Sequence, residues 1–234
     1  MSVRLQQTRE QLERHHRHGE DFARLMTDSF EERFNADFWK AWDAFIGETL
    51  PSDATIIDLG SATGQFLRAA CERHPGTRAI GVECAPYMLD AMVELPESAE
   101  VVCADLHDPH LPLADGEADA ALASVVLHEM VQPIRALREI HRVLGPGGRI
   151  FIYDWVRAPL ADYVASQSDE ATIFGVETPA ETLEDLFEHF FEHNRFSRED
   201  LAWLLNRTGF DVIDSQPLRG GRFARLIAEK RSTG

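Results

Sequence analysis

The chain has 234 residues, 44% of them hydrophobic and 27% charged, which one globular domain with a sizeable core accounts for. A formal net charge of −17 excludes nucleic-acid backbones and anionic membranes as default partners, because both would be repelled. The three cysteines make no C-x-x-C pair, no apolar run approaches the roughly 20 residues a bilayer requires, and the N-terminus has no signal-like apolar stretch, so a cytoplasmic, reduced protein is expected.

Residues 1–50 form an N-terminal helical cap, with Phe38, Trp42, Phe45 and Ile46 on one helix face. Arg4, Arg9, Arg14 and Arg17, interleaved with Glu10 and Glu13, and the cluster His15-His16-Arg17-His18 are expected on solvated faces. Residues 51–234 then alternate β-rich runs with helical stretches, which predicts an α/β domain with a mostly parallel sheet. The expected strands are Ala54–Leu59, Arg78–Glu83, Glu100–Ala104, Ala118–Ser124 and Arg149–Trp155. A helix over Arg135–Leu144 is stopped by Gly145-Pro146-Gly147-Gly148. The stretch from about 157 to 196 is too long for a βα loop and is expected to be a partly helical lid containing Leu183, Leu186, Phe187, Phe190 and Phe191. Ser197-Arg198-Glu199-Asp200 has the form of a capping box, opening a helix that ends before Gly209. Asp211–Leu218 and Arg222–Glu229, separated by Arg219-Gly220-Gly221, predict a terminal antiparallel hairpin.

The most informative segment is Ile56-Ile57-Asp58-Leu59-Gly60-Ser61-Ala62-Thr63-Gly64, a buried strand entering a glycine-containing turn before a helix near Gln65. Such a turn lets backbone N–H groups approach a ligand closely. Ala62 and Gln65 stand where the dinucleotide pattern G-x-G-x-x-G needs glycine, so NAD is disfavoured. Glu83 ends the second strand, where a carboxylate can accept both hydroxyls of a ribose. Asp105 follows the third strand, where it can accept from the exocyclic amine of adenine while Leu106 packs on the ring. Three successive strand ends carrying Asp58, Glu83 and Asp105 indicate a cofactor containing adenosine.

In these motifs the chain resembles the class I S-adenosylmethionine-dependent methyltransferases. Asp58 to Gly64 is similar to their first motif, Gly81-Val82-Glu83-Cys84-Ala85-Pro86-Tyr87-Met88-Leu89 to their second-strand motif, and Asp105-Leu106 to their adenine motif. Residues 113–119 and Leu127-His128-Glu129 resemble the fourth-strand region, and residues 142–149 the turn before strand five. The resemblance implies a doubly wound seven-stranded sheet of order 3-2-1-4-5-7-6 with strand 7 antiparallel, and S-adenosyl-L-methionine as cofactor. It implies a cofactor site of Asp58, Gly60, Ser61, Ala62, Thr63, Gly64, Glu83, Cys84, Met88, Asp105, Leu106 and Ser124. Asp58 would fix the loop and Ser124 would close the pocket.

Methyl transfer needs in-line alignment of an acceptor and exclusion of water, with a base for a hydroxyl acceptor. His128 is the candidate base, with Tyr153, Trp155, Arg157 and His193 as candidate acceptor residues. Ser124-Val125-Val126-Leu127 lacks the Asn/Asp-Pro-Pro-aromatic signature of nucleic-acid amino-methylation, and the cysteines do not resemble the thiolate set of arsenic methyltransferases. A small-molecule acceptor is therefore expected beneath a lid that combines the N-terminal helices with residues from about 157 to 196, with no nucleic acid or membrane as partner and no metal ligands assigned. Two alternatives stay open: a non-catalytic module that binds the same cofactor, and a zinc hydrolase using the H-x-x-E-H pattern of His189, Glu192 and His193.

Overall fold

The computed structural model describes residues 3–16, 18–159, 161–162 and 178–232; the side chains of residues 185, 186 and 189 also lie outside the described set. The run Thr55–Leu59 forms β1, buried along its whole length. It pairs in parallel with β2 (Arg78–Glu83) on one side and β4 (Ala118–Ser124) on the other. Adding β3 (Ala99–Cys103), β5 (Leu144–Trp155), β6 (Phe210–Leu218) and β7 (Phe223–Lys230) completes a seven-stranded sheet of order β3-β2-β1-β4-β5-β7-β6. Only β7 runs antiparallel to its neighbours. The order reverses between β1 and β4, so the carboxyl ends of these strands open a crevice there, as expected for a doubly wound sheet.

Both faces of the sheet are covered by helices. On one face, α4 (Ala36–Phe45) and α5 (Gln65–Arg73) bury an aromatic cluster of Phe34, Phe38, Trp42, Phe66 and Phe151. Asn35 starts α4 by accepting from the N–H groups of Asp37 and Phe38. On the other face, α7 (Ile134–Val143) and α9 (Arg198–Arg207) bury Leu137, Ile140, Leu201 and Leu205. The expected capping box at Ser197 is present, closed reciprocally by Asp200.

Strand boundaries depart from expectation mostly by one residue. β5 is the exception, because pairing begins at Leu144 opposite Ala118 and resumes with Arg149 opposite Ala120. The Gly145–Gly148 segment, expected as a loop, is thus a bulge within the strand. Ahead of α4 lie α1 (Val3–His16), α2 (Gly19–Asp28) and α3 (Phe30–Arg33), and α6 (Pro86–Asp90) follows β2. In the expected lid, α8 (Ala180–His193) is described, while residues 160 and 163–177 lie outside the described residues. Among the described residues no helix is long and apolar enough to cross a membrane.

Candidate functional site

The crevice at the carboxyl ends of β1, β2 and β4 is roofed by the N-terminal helices, enclosing a cleft of about 800 Å³ counting its open mouth. Its floor comes from the first two strand ends, with Gly60, Ala62, Val82, Glu83, Cys84, Ala85 and Met88 in the wall. Gly60 adopts φ +67°, and a Cβ there would lie 2.7 Å from Val126 Cγ2, so only glycine lets the turn pass under the β4 end. Ala62 adopts φ +46° and Val125 φ +56°, both lining the cleft. For a β-branched residue this left-handed backbone is a true outlier, worth about 1–3 kcal/mol of strain held by its surroundings.

The turn was expected to present free N–H groups; in the structure they are largely committed. Gly60 and Ser61 donate to the Val82 carbonyl at 2.9 and 3.1 Å, and Gly64 donates to Ser61 O at 2.8 Å. Ala62 N–H donates to Glu83 Oε2 at 3.1 Å, and Glu83 Oε1 accepts from Cys84 and Ala85 at 2.7 and 2.8 Å. Glu83, rather than Asp58, is therefore the carboxylate seen holding the loop. Burial drives the Glu83 carboxyl up to about 7, against the backbone donors that favour its charge. Asp58 is buried beneath the turn, its carboxyl raised well above the usual range by burial and tempered by the Arg33 guanidinium.

Gly60, Ala62, Glu83, Cys84, Met88, Leu106 and Ser124 meet in the cleft wall as expected; Asp58, Ser61, Thr63, Gly64 and Asp105 do not line it. Ser61 Oγ would touch a Cβ on Gly81, so it packs on β2 and away from the cleft. Thr63 is tied to Thr27 and Gln65. Asp105 is engaged from above: Thr8 Oγ1 donates to Oδ2 at 3.1 Å, and His107 N–H donates to Oδ1 at 2.9 Å. His107 lines the cleft in its place, with Nδ1 3.2 Å from Asp105 Oδ1 and Nε2 buried in the wall without a protein partner among the described residues. Ser124 Oγ is likewise buried in that wall with no protein partner.

The N-terminal helices were expected to share in the lid, but the residues that build this roof were not singled out: Thr8, Gln11, Leu12 and His16 from α1, Phe22 and Met26 from α2, and Arg33 from α3. Helix α1, expected to be solvated on its basic face, is fastened polar group to polar group: Arg9 donates to Cys84 O at 2.7 Å and Arg4 sits 3.3 Å from Asp108. The only clue in the sequence is the spacing Thr8, Leu12 and His15/His16 down one side of α1. Arg33 is the strong cation of the wall; burial lowers its pKa while Asp58 raises it.

The expected acceptor residues divide. His193 stacks on Trp155, with ring centroids 5.5 Å apart and 1° between planes, and lies 4.9 Å from the His128 ring. Tyr153 is a core residue, packed on Phe38 and Phe223 at 5.4 and 4.5 Å, because its position on β5 faces the α4 side. Arg157 bonds the carbonyls of Asn194 and Arg195 and so ties the two ends of the lid segment together. His128 is 2% exposed and lies behind the cleft wall, where Glu129 takes the lining position. Its Nδ1 sits 2.6 Å from Asp154 Oδ1; burial lowers the imidazole pKa but Asp154 raises it more. At Glu129, burial is outweighed by His16, His128 and His15, bringing the carboxyl down to about 2. Of the H-x-x-E-H residues, Glu192 bonds His15 and His193 faces Trp155 and His128, while the His189 side chain lies outside the described residues.

Residues 57–152 match a family model described as a methyltransferase domain. The chain is 35% identical over 168 residues to an arsenite methyltransferase of Halobacterium salinarum, covering 70% of this chain and 39% of the relative. It is 32% identical over 106 residues to a demethylmenaquinone methyltransferase of Thermus thermophilus, covering 44% and 48%. It thus spans less than half the length of these curated relatives. A chain in a complex of the Haloferax volcanii Trm112 methyltransferase activator with a methyltransferase superposes with a TM-score of 0.68 at 16% identity, covering 92% of this chain and 98% of that one. A methyltransferase structure from Mesorhizobium loti gives 0.60 at 22% identity, covering 84% and 99%.

Proposed function

We propose that this chain, a member of the class I S-adenosylmethionine-dependent methyltransferases, transfers the cofactor's methyl group to a small-molecule acceptor. The observation that carries this is the set of polar groups the cleft leaves available: Ser124 Oγ and His107 Nε2, both buried without a protein partner, beside the Glu83 carboxyl held near neutrality. These are three placed polar groups in a mostly apolar cleft, the usual make-up of a cofactor site. S-adenosylmethionine supplies an activated methyl on a sulfonium, so no covalent nucleophile is needed.

Each group of the wall has a task. Glu83 accepts from the ribose hydroxyls. His107, with Nδ1–H directed to Asp105, keeps Nε2 as a bare acceptor for the adenine amine while Leu106 packs on the ring. Arg33 pairs with the methionine carboxylate, and Ser124 donates at the same end. Glu129 supplies a negative wall near the cationic sulfur and favours its desolvation. Because the chain spans less than half of the arsenite methyltransferase, that relative's acceptor does not transfer by likeness. The thiols argue against it too: Cys84 is buried and its thiol held well above the usual range by burial, while Cys71 lies beside Thr77 and Ser98, away from the cleft.

Calorimetry of S-adenosylmethionine binding, followed by transfer of labelled methyl into a fractionated metabolite extract, tests the proposal. Binding with a labelled product supports a methyltransferase. Binding with no labelled product in any fraction favours the non-catalytic module, and absence of binding refutes both.

A further inference from the structure

Three histidines far apart in sequence turn towards one point behind the cofactor cleft. His15 comes from the end of α1, His128 from the 3₁₀ turn Leu127–Glu129 after β4, and His193 from the last residue of α8. One ligating atom of each lies within 4.8 Å of the other two. Glu129 Oε1 lies beside the cluster, 3.8 Å from His15 Nε2 and 3.9 Å from His128 Nε2, and is held by His16 Nε2 at 3.1 Å. Bonds of about 2.1 Å to a tetrahedral ion put neighbouring ligand atoms about 3.4 Å apart, so the cluster must contract by up to about 1.4 Å to close on an ion.

The outer contacts match what a metal site requires. His128 Nδ1 faces Asp154 Oδ1 at 2.6 Å, and Asp154 is itself fixed because its Oδ2 accepts from Val126 and Leu127 N–H at 3.2 and 2.6 Å. His15 Nδ1 faces Glu192. Carboxylates accept rather than donate, so the His128 and His15 rings carry their protons on Nδ1 and leave Nε2 as the ligating atom. Trp155 stacks flat on His193 and sets its ring plane. A general base would need one such ring facing an acceptor; three rings from three elements converging on a point behind the cleft wall have a different use.

We propose that His15, His128 and His193 bind one divalent ion of the zinc class, with solvent completing its coordination, which pins α1 and α8 to the turn after β4. Because α1 also carries Thr8, Gln11, Leu12 and His16 of the cofactor roof, the ion fixes that roof over the cleft. The ion site stands independently of methyl transfer; only its effect on cofactor affinity rests on that function.

The test uses the full chain without an affinity tag, stripped with a chelator and titrated with Zn2+ or Co2+. One equivalent should bind, Co2+ should give the visible bands of a four- or five-coordinate nitrogen and oxygen site, and the ion should raise the melting temperature. His15→Ala and His193→Ala, with native circular dichroism checked first, should each weaken binding about 100-fold or more, and Glu192→Gln about 10-fold. Spectroscopy of Co2+ on the unaltered chain keeps the test valid if a variant fails to fold. Substoichiometric binding, an octahedral all-oxygen Co2+ spectrum, or full affinity in the folded His15→Ala/His193→Ala double variant would overturn the site. Stoichiometric ion binding without any change in S-adenosylmethionine affinity would keep the site and remove its link to the roof.

Discussion

The Glu83 carboxyl gives the sharpest quantitative consequence of the structure. Burial lifts it to about 7, and ribose hydroxyls can be accepted fully only by its ionised form. With that value the ionised fraction is about 0.9 at pH 8 and about 0.1 at pH 6, so the dissociation constant for S-adenosylmethionine should rise about tenfold between them. The sign for the free protein runs the other way: a carboxyl raised in the fold costs stability as pH climbs from about 4.5, where the unfolded chain ionises, to about 7. Isothermal titration calorimetry of the cofactor from pH 6 to pH 8, with thermal melts of the free protein, measures both. Glu83→Gln should bind more weakly at pH 8 by about 1.5–3 kcal/mol and lose the tenfold pH dependence. His16 and His107 also line the cleft, so the variant is the essential control. A wild-type affinity that is flat with pH, or a slope that survives in Glu83→Gln, would refute the assignment of the carboxyl.

Gly60→Ala should cost about 1–3 kcal/mol in urea denaturation and abolish tight cofactor binding, since its new Cβ meets Val126 at 2.7 Å from a backbone at φ +67°. Arg33→Met should weaken S-adenosylmethionine by about 10- to 100-fold yet leave its decarboxylated analogue unchanged, a difference calorimetry resolves. Trp42→Ala, at a fully buried site among Phe38, Phe66 and Phe151, should lower unfolding free energy by about 3–5 kcal/mol in chemical denaturation. A loss under about 1 kcal/mol would mean that the aromatic layer is not a core.

The strands were legible because parallel strands buried on both faces are near-continuous apolar runs, as in Ile56-Ile57 and Ala120 to Ala123, while their order came from the family resemblance. Of the three strand-end acids, Glu83 was legible as a residue of the cleft wall because a strand end is a fixed place and the β2 register puts it there. What was not legible depends on approach across the chain. Thr8 and Asp105 are 97 positions apart, and nothing local in either marks a contact that turns Asp105 upwards and leaves His107 to face the cleft. Tyr153 and Trp155 stand at the same strand end, yet the two differ in neighbours: Tyr153 packs against α4, which the sequence placed only as part of a separate cap. The bulge at Gly145–Gly148 was hidden for a different reason, since glycine and proline signal a turn without saying whether the ladder resumes beyond it.

The cap and the cofactor domain, divided at residue 50 from composition alone, are a single functional unit with two kinds of attachment. Helix α4 is held by core: Phe38 and Trp42 are 2% and 0% exposed, and their removal should threaten the fold. Helix α1 is held by polar groups, through Thr8 to Asp105, Arg9 to the Cys84 carbonyl and His16 to Glu129 at 3.1 Å. Contacts of this kind each contribute little net stability, because water replaces them when they open. They also end on Cys84 and Glu129 of the cleft wall and on Asp105 beside it. Removing residues 1–18 should therefore leave the unfolding transition of the remaining chain nearly intact while weakening S-adenosylmethionine by about 10-fold or more, read by calorimetry against the melting curve. Equal losses in both would place α1 in the core of the fold instead of over its cofactor.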